Sequence, residues 1–166
     1  MTQTITNARP YEANLDPESP NRNLTPLTTS LDADDRLIVG DCLLSDLAQR
    51  YGTPLYVLDE QTLRSTCRAY RDALKRHYPG PSLPIYASKA NSSLVMSSLV
   101  ASEGLGLDAV SAGELLTALR GGMPGDRMVL HGNNKSDEEL LLAYNNNVTV
   151  VVDNQLDLDR LSDLIP

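Results

Sequence analysis

Lys89, in the run Tyr86-Ala87-Ser88-Lys89-Ala90-Asn91, has the most chemical potential of any residue in the chain. It follows an apolar stretch that reads as a buried strand, and the small residues around it leave room for a ligand. A lysine in an apolar surround has its ammonium form disfavoured, so its amine becomes nucleophilic. Schiff-base chemistry requires that. A lysine snorkelling at a strand end reads the same way in sequence. Three further titratable residues hold comparable places. His131 follows Met128-Val129-Leu130, and both a loop-backbone bond and catalysis are open to it. Asp108 opens the loop after another apolar run, as an ordinary turn aspartate or the partner of a nearby cation. Glu114 fits a capping box in Ser111-Ala112-Gly113-Glu114, reaching back to the Ser111 amide, with a contact to Lys89 as the alternative. Neither GxGxxG nor a Walker-type phosphate loop occurs, and no metal site is expected.

The elements that must position these residues recur along the chain. Short apolar runs start at residues 84, 107, 127 and 148. Each is followed by an amphipathic stretch, giving expected helices over 92–103, 112–121, 136–146 and 154–164. Ser136 with Glu139 spells a capping box at the third of these helices. Four βα units with apolar strands imply an α/β fold with a parallel sheet. Periodicity leaves open a barrel or an open doubly wound sheet, and in either one ligands gather at the carboxyl ends of the strands. Those ends carry Lys89, Asp108 and His131.

Upstream, a strand is expected near 36–39, a helix over Cys42–Tyr51, a buried strand over Pro54–Leu58 and a helix over 60–78 with Asp59 as its cap. The arginines and Lys75 on that last helix read as a solvated face. Residues 1–35 read as a flexible N-terminal arm, with Pro10, Pro17, Pro20 and Pro26 among Asn, Thr and Ser. Residues 36–166 then form the folded part.

Composition narrows the function classes. The chain has 166 residues, 14 Lys+Arg against 22 Asp+Glu, and a formal net charge of −8. That balance argues against nucleic acid and anionic membrane surfaces, which select clustered Lys and Arg. No apolar run approaches the roughly 18 residues of a membrane span. The polar start lacks the apolar core of a signal peptide. Cys42 and Cys67 make neither a disulfide framework nor a CxxC pair, so a cytoplasmic setting is expected. With seven Tyr but no Phe or Trp, the core must be built from Leu, Val, Ile and Ala.

Several segments resemble diaminopimelate decarboxylase, a pyridoxal-phosphate-dependent family with an alanine-racemase-like barrel. Tyr51-Gly52-Thr53-Pro54-Leu55-Tyr56-Val57-Leu58-Asp59 is similar to its entry segment, and Tyr86-Ala87-Ser88-Lys89-Ala90-Asn91 to its cofactor-lysine motif. Gly104 to Leu115 resembles the next βα unit, and His131-Gly132-Asn133-Asn134-Lys135-Ser136 the third. The resemblance spans roughly residues 36–163. It implies a partial (β/α)8 barrel of about four βα units, decarboxylation of meso-diaminopimelate to L-lysine and carbon dioxide, and pyridoxal 5'-phosphate held on Lys89. It also implies that Asp108 and Glu114 fall near the lysine and the ring, and His131 at the barrel mouth. The substrate would be a small amino acid, and full-length members are expected to be homodimers.

A complete barrel of this kind takes about 250 residues. The family's ring-stacking histidine, glycine-rich phosphate loop, pyridine-nitrogen acid and substrate arginine have no counterparts in this sequence. The chain is therefore expected to be an N-terminal fragment or truncated relative, poorly stable and nearly inactive alone. Its strand at 36–39 is expected to lack its sheet. The alternatives are a non-catalytic remnant, a pyridoxal-phosphate-binding module, or a small racemase-like barrel protein.

Overall fold

The computed structural model describes residues 24–165. Most of the expected flexible arm therefore lies outside the described residues. Two compact units divide within one helix, after Thr66.

The first unit is a small antiparallel sheet with a helix. Strands β1 (Ser30–Leu31), β2 (Leu37–Val39) and β3 (Cys42–Leu43) lie in the order β1-β2-β3. Ser30 pairs with Ile38, so part of the segment expected as an arm is in a sheet. The expectation that the strand near 36–39 lacks a sheet is corrected: β2 is the central strand of three. Val39 pairs with Cys42 across Gly40 and Asp41, whose φ values are +56° and +63°. Two consecutive positive φ values define the tight hairpin turn whose twist matches the flanking strands. That hairpin draws Cys42 and Leu43 into the sheet, and helix α1 runs only over Leu44–Tyr51.

Pro54–Leu58 is not a strand. It joins no ladder among the described residues, and Tyr56 is 97% exposed. An apolar run becomes a strand only where a partner takes its amides. Asp59 does cap helix α2 (Glu60–His77), accepting the Thr62 amide at 3.0 Å. Burial works against the Asp59 carboxylate. Hydrogen bonds from the Thr62 and Thr28 side chains and the Thr62 and Gln61 amides outweigh it and hold Asp59 below the usual carboxylate value.

The second unit holds the end of α2 and four βα units. Strands β4 (Ile85–Ala87), β5 (Gly106–Ala109), β6 (Met128–Leu130) and β7 (Thr149–Val150) form one parallel sheet in chain order. Helices α3 (Leu94–Ser102), α4 (Ala112–Arg120), α5 (Asp137–Asn145) and α6 (Gln155–Leu164) alternate with them. A doubly wound sheet reverses its strand order at one point. No reversal occurs here, so the arrangement is a partial (β/α)8 barrel.

The core lies between strands and helices. Leu107, Ala109, Met128 and Leu130 are buried from one sheet face, with Val100, Leu115, Ala118, Leu140 and Ala143 from the helices. Each fully buried leucine contributes about 1.5–3 kcal/mol relative to exposure. Asp108 and Val129 alternate with the buried strand residues and are only half-buried on the opposite face. Gly106 must be glycine for packing, since a Cβ there would meet the Arg127 carbonyl oxygen at 2.5 Å. Arg68 of α2 forks onto the buried Glu103 with two bonds of 2.8 Å, and Arg71 donates to the Glu103 carbonyl at 2.9 Å.

Candidate active site

Lys89 sits in a 3-10 turn, Ser88–Ala90, directly after the carboxyl end of β4. Ser88 turns inward and is buried, and its hydroxyl donates to the Asp108 carbonyl at 2.8 Å. The turn is thereby tied to β5. Lys89 itself is exposed, and its amine contacts no acid or hydrogen-bond acceptor among the described residues. The apolar enclosure expected around Lys89 is thus not found: the chain spends its buried position on Ser88.

Asp108 occupies the last turn of the ladder, paired with Ala87 of β4 and Val129 of β6. His131 follows β6, and its amide donates to the Ala109 carbonyl at 2.8 Å. The His131 Nδ1 lies 3.7 Å from Asp108 Oδ1, too far for a hydrogen bond but close enough for attraction when the ring is protonated. Three consecutive strand ends therefore carry an amine, a carboxylate and an imidazole.

Glu114 departs from its expected bond. Ser111 Oγ does accept the Glu114 amide, at 3.3 Å. The Glu114 carboxylate, however, takes the Val110 amide at 2.5 Å, one residue before the Ser111 amide. Glu139 reaches the same loop from α5. Its Oε2 accepts the Ser136 amide at 2.9 Å, closing the capping box of α5, while its Oε1 accepts the Ala112 amide at 3.0 Å. Two glutamates thus hold alternate amides of the loop after β5, and neither touches Lys89 in the contacts seen.

Sequence reasoning passed over Lys135. It is 2% exposed, yet its amine makes three bonds: to Asp157 Oδ2 at 2.6 Å, to the Gly132 carbonyl at 2.7 Å and to Asp153 Oδ1 at 3.2 Å. Burial alone would favour the neutral amine. The hydrogen bonds and charges of Asp157 and Asp153 outweigh it and raise Lys135 above the ordinary lysine value. The same contact with Lys135 holds the Asp153 carboxyl below the usual range. Asn154 caps α6 by accepting the Asp157 amide at 2.9 Å, which places Asp157 on the first turn facing Lys135.

Comparison with known proteins decides the family. The model of the pyridoxal-dependent decarboxylase, pyridoxal binding domain, matches residues 60–166.

The chain belongs to the pyridoxal-dependent decarboxylases.

Among these decarboxylases it is 44% identical to a diaminopimelate decarboxylase from Synechocystis over 154 residues, 88% of this chain and 33% of that one. A diaminopimelate decarboxylase from Bacillus subtilis is 45% identical over 124 residues, 71% of this chain and 27% of that one. The crystal structure of diaminopimelate decarboxylase from M. jannaschii in complex with L-lysine superposes with a TM-score of 0.77 at 32% identity, covering 82% of this chain and 32% of that one. The chain thus spans about a third of the length of the relatives it matches. The fold is accordingly that of the alanine-racemase-like barrel decarboxylases, as the resemblance implied. No described helix is long and apolar enough to cross a membrane.

Proposed function

We propose that this chain is the lysine-bearing part of a carboxy-lyase that converts meso-2,6-diaminopimelate to L-lysine and carbon dioxide with pyridoxal 5'-phosphate. The observation that carries the reading is the placement of an exposed, unengaged amine at one strand end, with Asp108 and His131 on the next two. The names of the relatives support the substrate.

The residues present fit the aldehyde-bearing end of the cofactor. A primary amine without a competing ion pair is the donor that an aldehyde needs, and Lys89 is that amine. Lys135, by contrast, is fully engaged. When bound, the pyridoxal ring supplies the electron sink for the pair left behind by departing carbon dioxide. Lys89 would hold the aldehyde end of the group through Nζ, and the same amine would be the nearest primary amine to carry a proton. Asp108 stands on the neighbouring strand end, paired with Ala87 two residues before Lys89, and His131 faces Asp108 across 3.7 Å. Glu114 and Glu139 hold the loop between these two strand ends.

Lys89 is open to water in this chain. Reaction at such a site is favoured by excluding water, so the isolated chain is expected to capture the aldehyde without efficient turnover. A cytoplasmic setting and a homodimeric full-length enzyme belong to the same proposal, supported by the cysteine usage and the family resemblance.

The test is borohydride reduction of the chain with pyridoxal phosphate, followed by peptide mass mapping. The chain has three lysines, at 75, 89 and 135. Label concentrated on Lys89 is expected. Equal labelling of Lys75, an exposed helix lysine, would remove the case for a site. Carbon dioxide release from meso-diaminopimelate reads the turnover part separately.

A further inference from the structure

We propose that Lys135 is a positioning residue for the candidate site: clamped between Asp157, Asp153 and the Gly132 carbonyl, it fixes the turn that aims His131 at Asp108. The inference deepens the cofactor-site reading and rests on it for its purpose, though not for its geometry.

A buried ammonium is expensive unless every proton finds an acceptor. Here all three do, and two of the acceptors are carboxylates. Such a cluster is weak evidence for stability, since apolar residues of similar size often do as well in its place. What apolar residues cannot supply is direction. The third acceptor is the backbone carbonyl of Gly132, the residue directly after His131. Gly132 has φ +118°, which lets the chain turn sharply there and return to Lys135.

Both ends of the turn are anchored. The His131 amide is bound to the Ala109 carbonyl at 2.8 Å, and the Lys135 carbonyl accepts from Arg160 Nη1 at 2.6 Å. Ser136 then starts α5 with its capping box. Between these anchors, among the described residues, the lysine alone holds the middle of the turn from within, reaching across to β7's end through Asp153 and to α6 through Asp157. The clamp therefore joins two successive strand ends and sets where His131 points.

Two measurements test this, neither using cofactor, so either proposal can fail while the other stands. The first uses the unaltered chain. Nuclear magnetic resonance should detect slowly exchanging Lys135 Nζ protons with a coupling across the bond to the Gly132 carbonyl carbon. A freely exchanging Lys135 amine overturns the proposal. The second reads the His131 imidazole nitrogen resonances, which need separating only from those of His77. Asp108→Asn is expected to shift them in the parent. In the paired variant Lys135→Met, Asp157→Leu, chosen to keep the buried volume without charge, that shift should fall at least twofold. An equal shift in both backgrounds overturns the proposal, because a merely structural lysine would leave the His131–Asp108 coupling intact.

Discussion

Lys89 and Lys135 stand in the loops at the carboxyl ends of β4 and β6, strands that flank β5 on either side. They share side chain, fold position and motif-rich surroundings, yet the protein treats them oppositely. Lys89 is exposed and makes no ion pair among the described residues. Lys135 is sealed under three acceptors, one of them the 1%-exposed Asp157. The difference teaches what a reactive amine requires. An amine between two carboxylates keeps its proton and does no chemistry as a base. An amine with nothing to satisfy it is available to a carbonyl. Reactivity here follows from which loop places aspartates within reach, rather than from the residue type.

The largest expected effect tests that contrast directly. Lys89→Arg keeps the charge but removes the primary amine, and it should abolish pyridoxal phosphate capture, a loss of at least a hundredfold in labelled chain by mass mapping. Lys135 should remain unlabelled in that variant, even with Lys89 gone. Transfer of the label to Lys135 would break the comparison, since it would show the clamp opening on its own.

Stability should reverse the order. Lys135→Met leaves Asp157 buried without its counter-charge, at a cost of about 3–5 kcal/mol. Lys89→Met touches an exposed residue and should stay within about 0.5 kcal/mol. Urea denaturation of the two variants checks both figures. Against the 5–15 kcal/mol typical of a domain, the first is large enough to unfold much of the population.

The comparison also explains what was legible in the sequence. The four strands of the parallel sheet are legible because apolar runs such as Met128-Val129-Leu130 find partners there, whereas the apolar run Pro54–Leu58 joins no ladder among the described residues. Caps came through because Ser136-Glu139 and Asp59 act on amides three residues away. Lys89 stood out by its small neighbours. Lys135 did not, because its carboxylates are 18 and 22 residues downstream, in the next βα unit. One signal existed: Asn154 as a cap puts Asp157 on the first turn of α6, where it meets Lys135 from the loop after β6. The hairpin at Gly40-Asp41 was hidden for a related reason. Its strands are two or three residues long, and only the positive φ values separate it from a helix lead-in. Glu114 takes the Val110 amide rather than the Ser111 amide, a one-residue difference that the capping-box pattern does not resolve. The Lys135 clamp is a contact between successive βα units, which local pattern does not carry.

Alkaline pH offers a gentler probe. The Lys135 value is raised above its ordinary 10.5, so its contribution to stability is complete below that pH and is lost as pH rises through the folded-state value. Tyr86, raised by burial from 10.0, titrates on the same limb. The charge-free pair Lys135→Met, Asp157→Leu separates them. The parent should lose stability more steeply than the pair above about pH 10.5, measured as the urea midpoint. Parallel curves would mean that Tyr86 alone accounts for the alkaline loss.

The smallest effect comes from the helix starts that follow each lysine. Ser93 caps α3 by accepting the Met96 amide at 3.4 Å, and Ser136 caps α5 by accepting the Glu139 amide at 3.2 Å. Replacing either serine by alanine should cost about 1 kcal/mol. Equal costs would place the whole difference between the two strand ends in the lysines and their acids. Ser136 adjoins Lys135, though, and its amide is held by the same Glu139 that reaches the Ala112 amide. If Ser136→Ala costs clearly more than Ser93→Ala in thermal denaturation, the cap and the clamp act as one unit. The loop after β6 is then braced by a buried charged clamp and a cap together, where the loop after β4 is held by neutral bonds of Ser88, Tyr86 and Asn91.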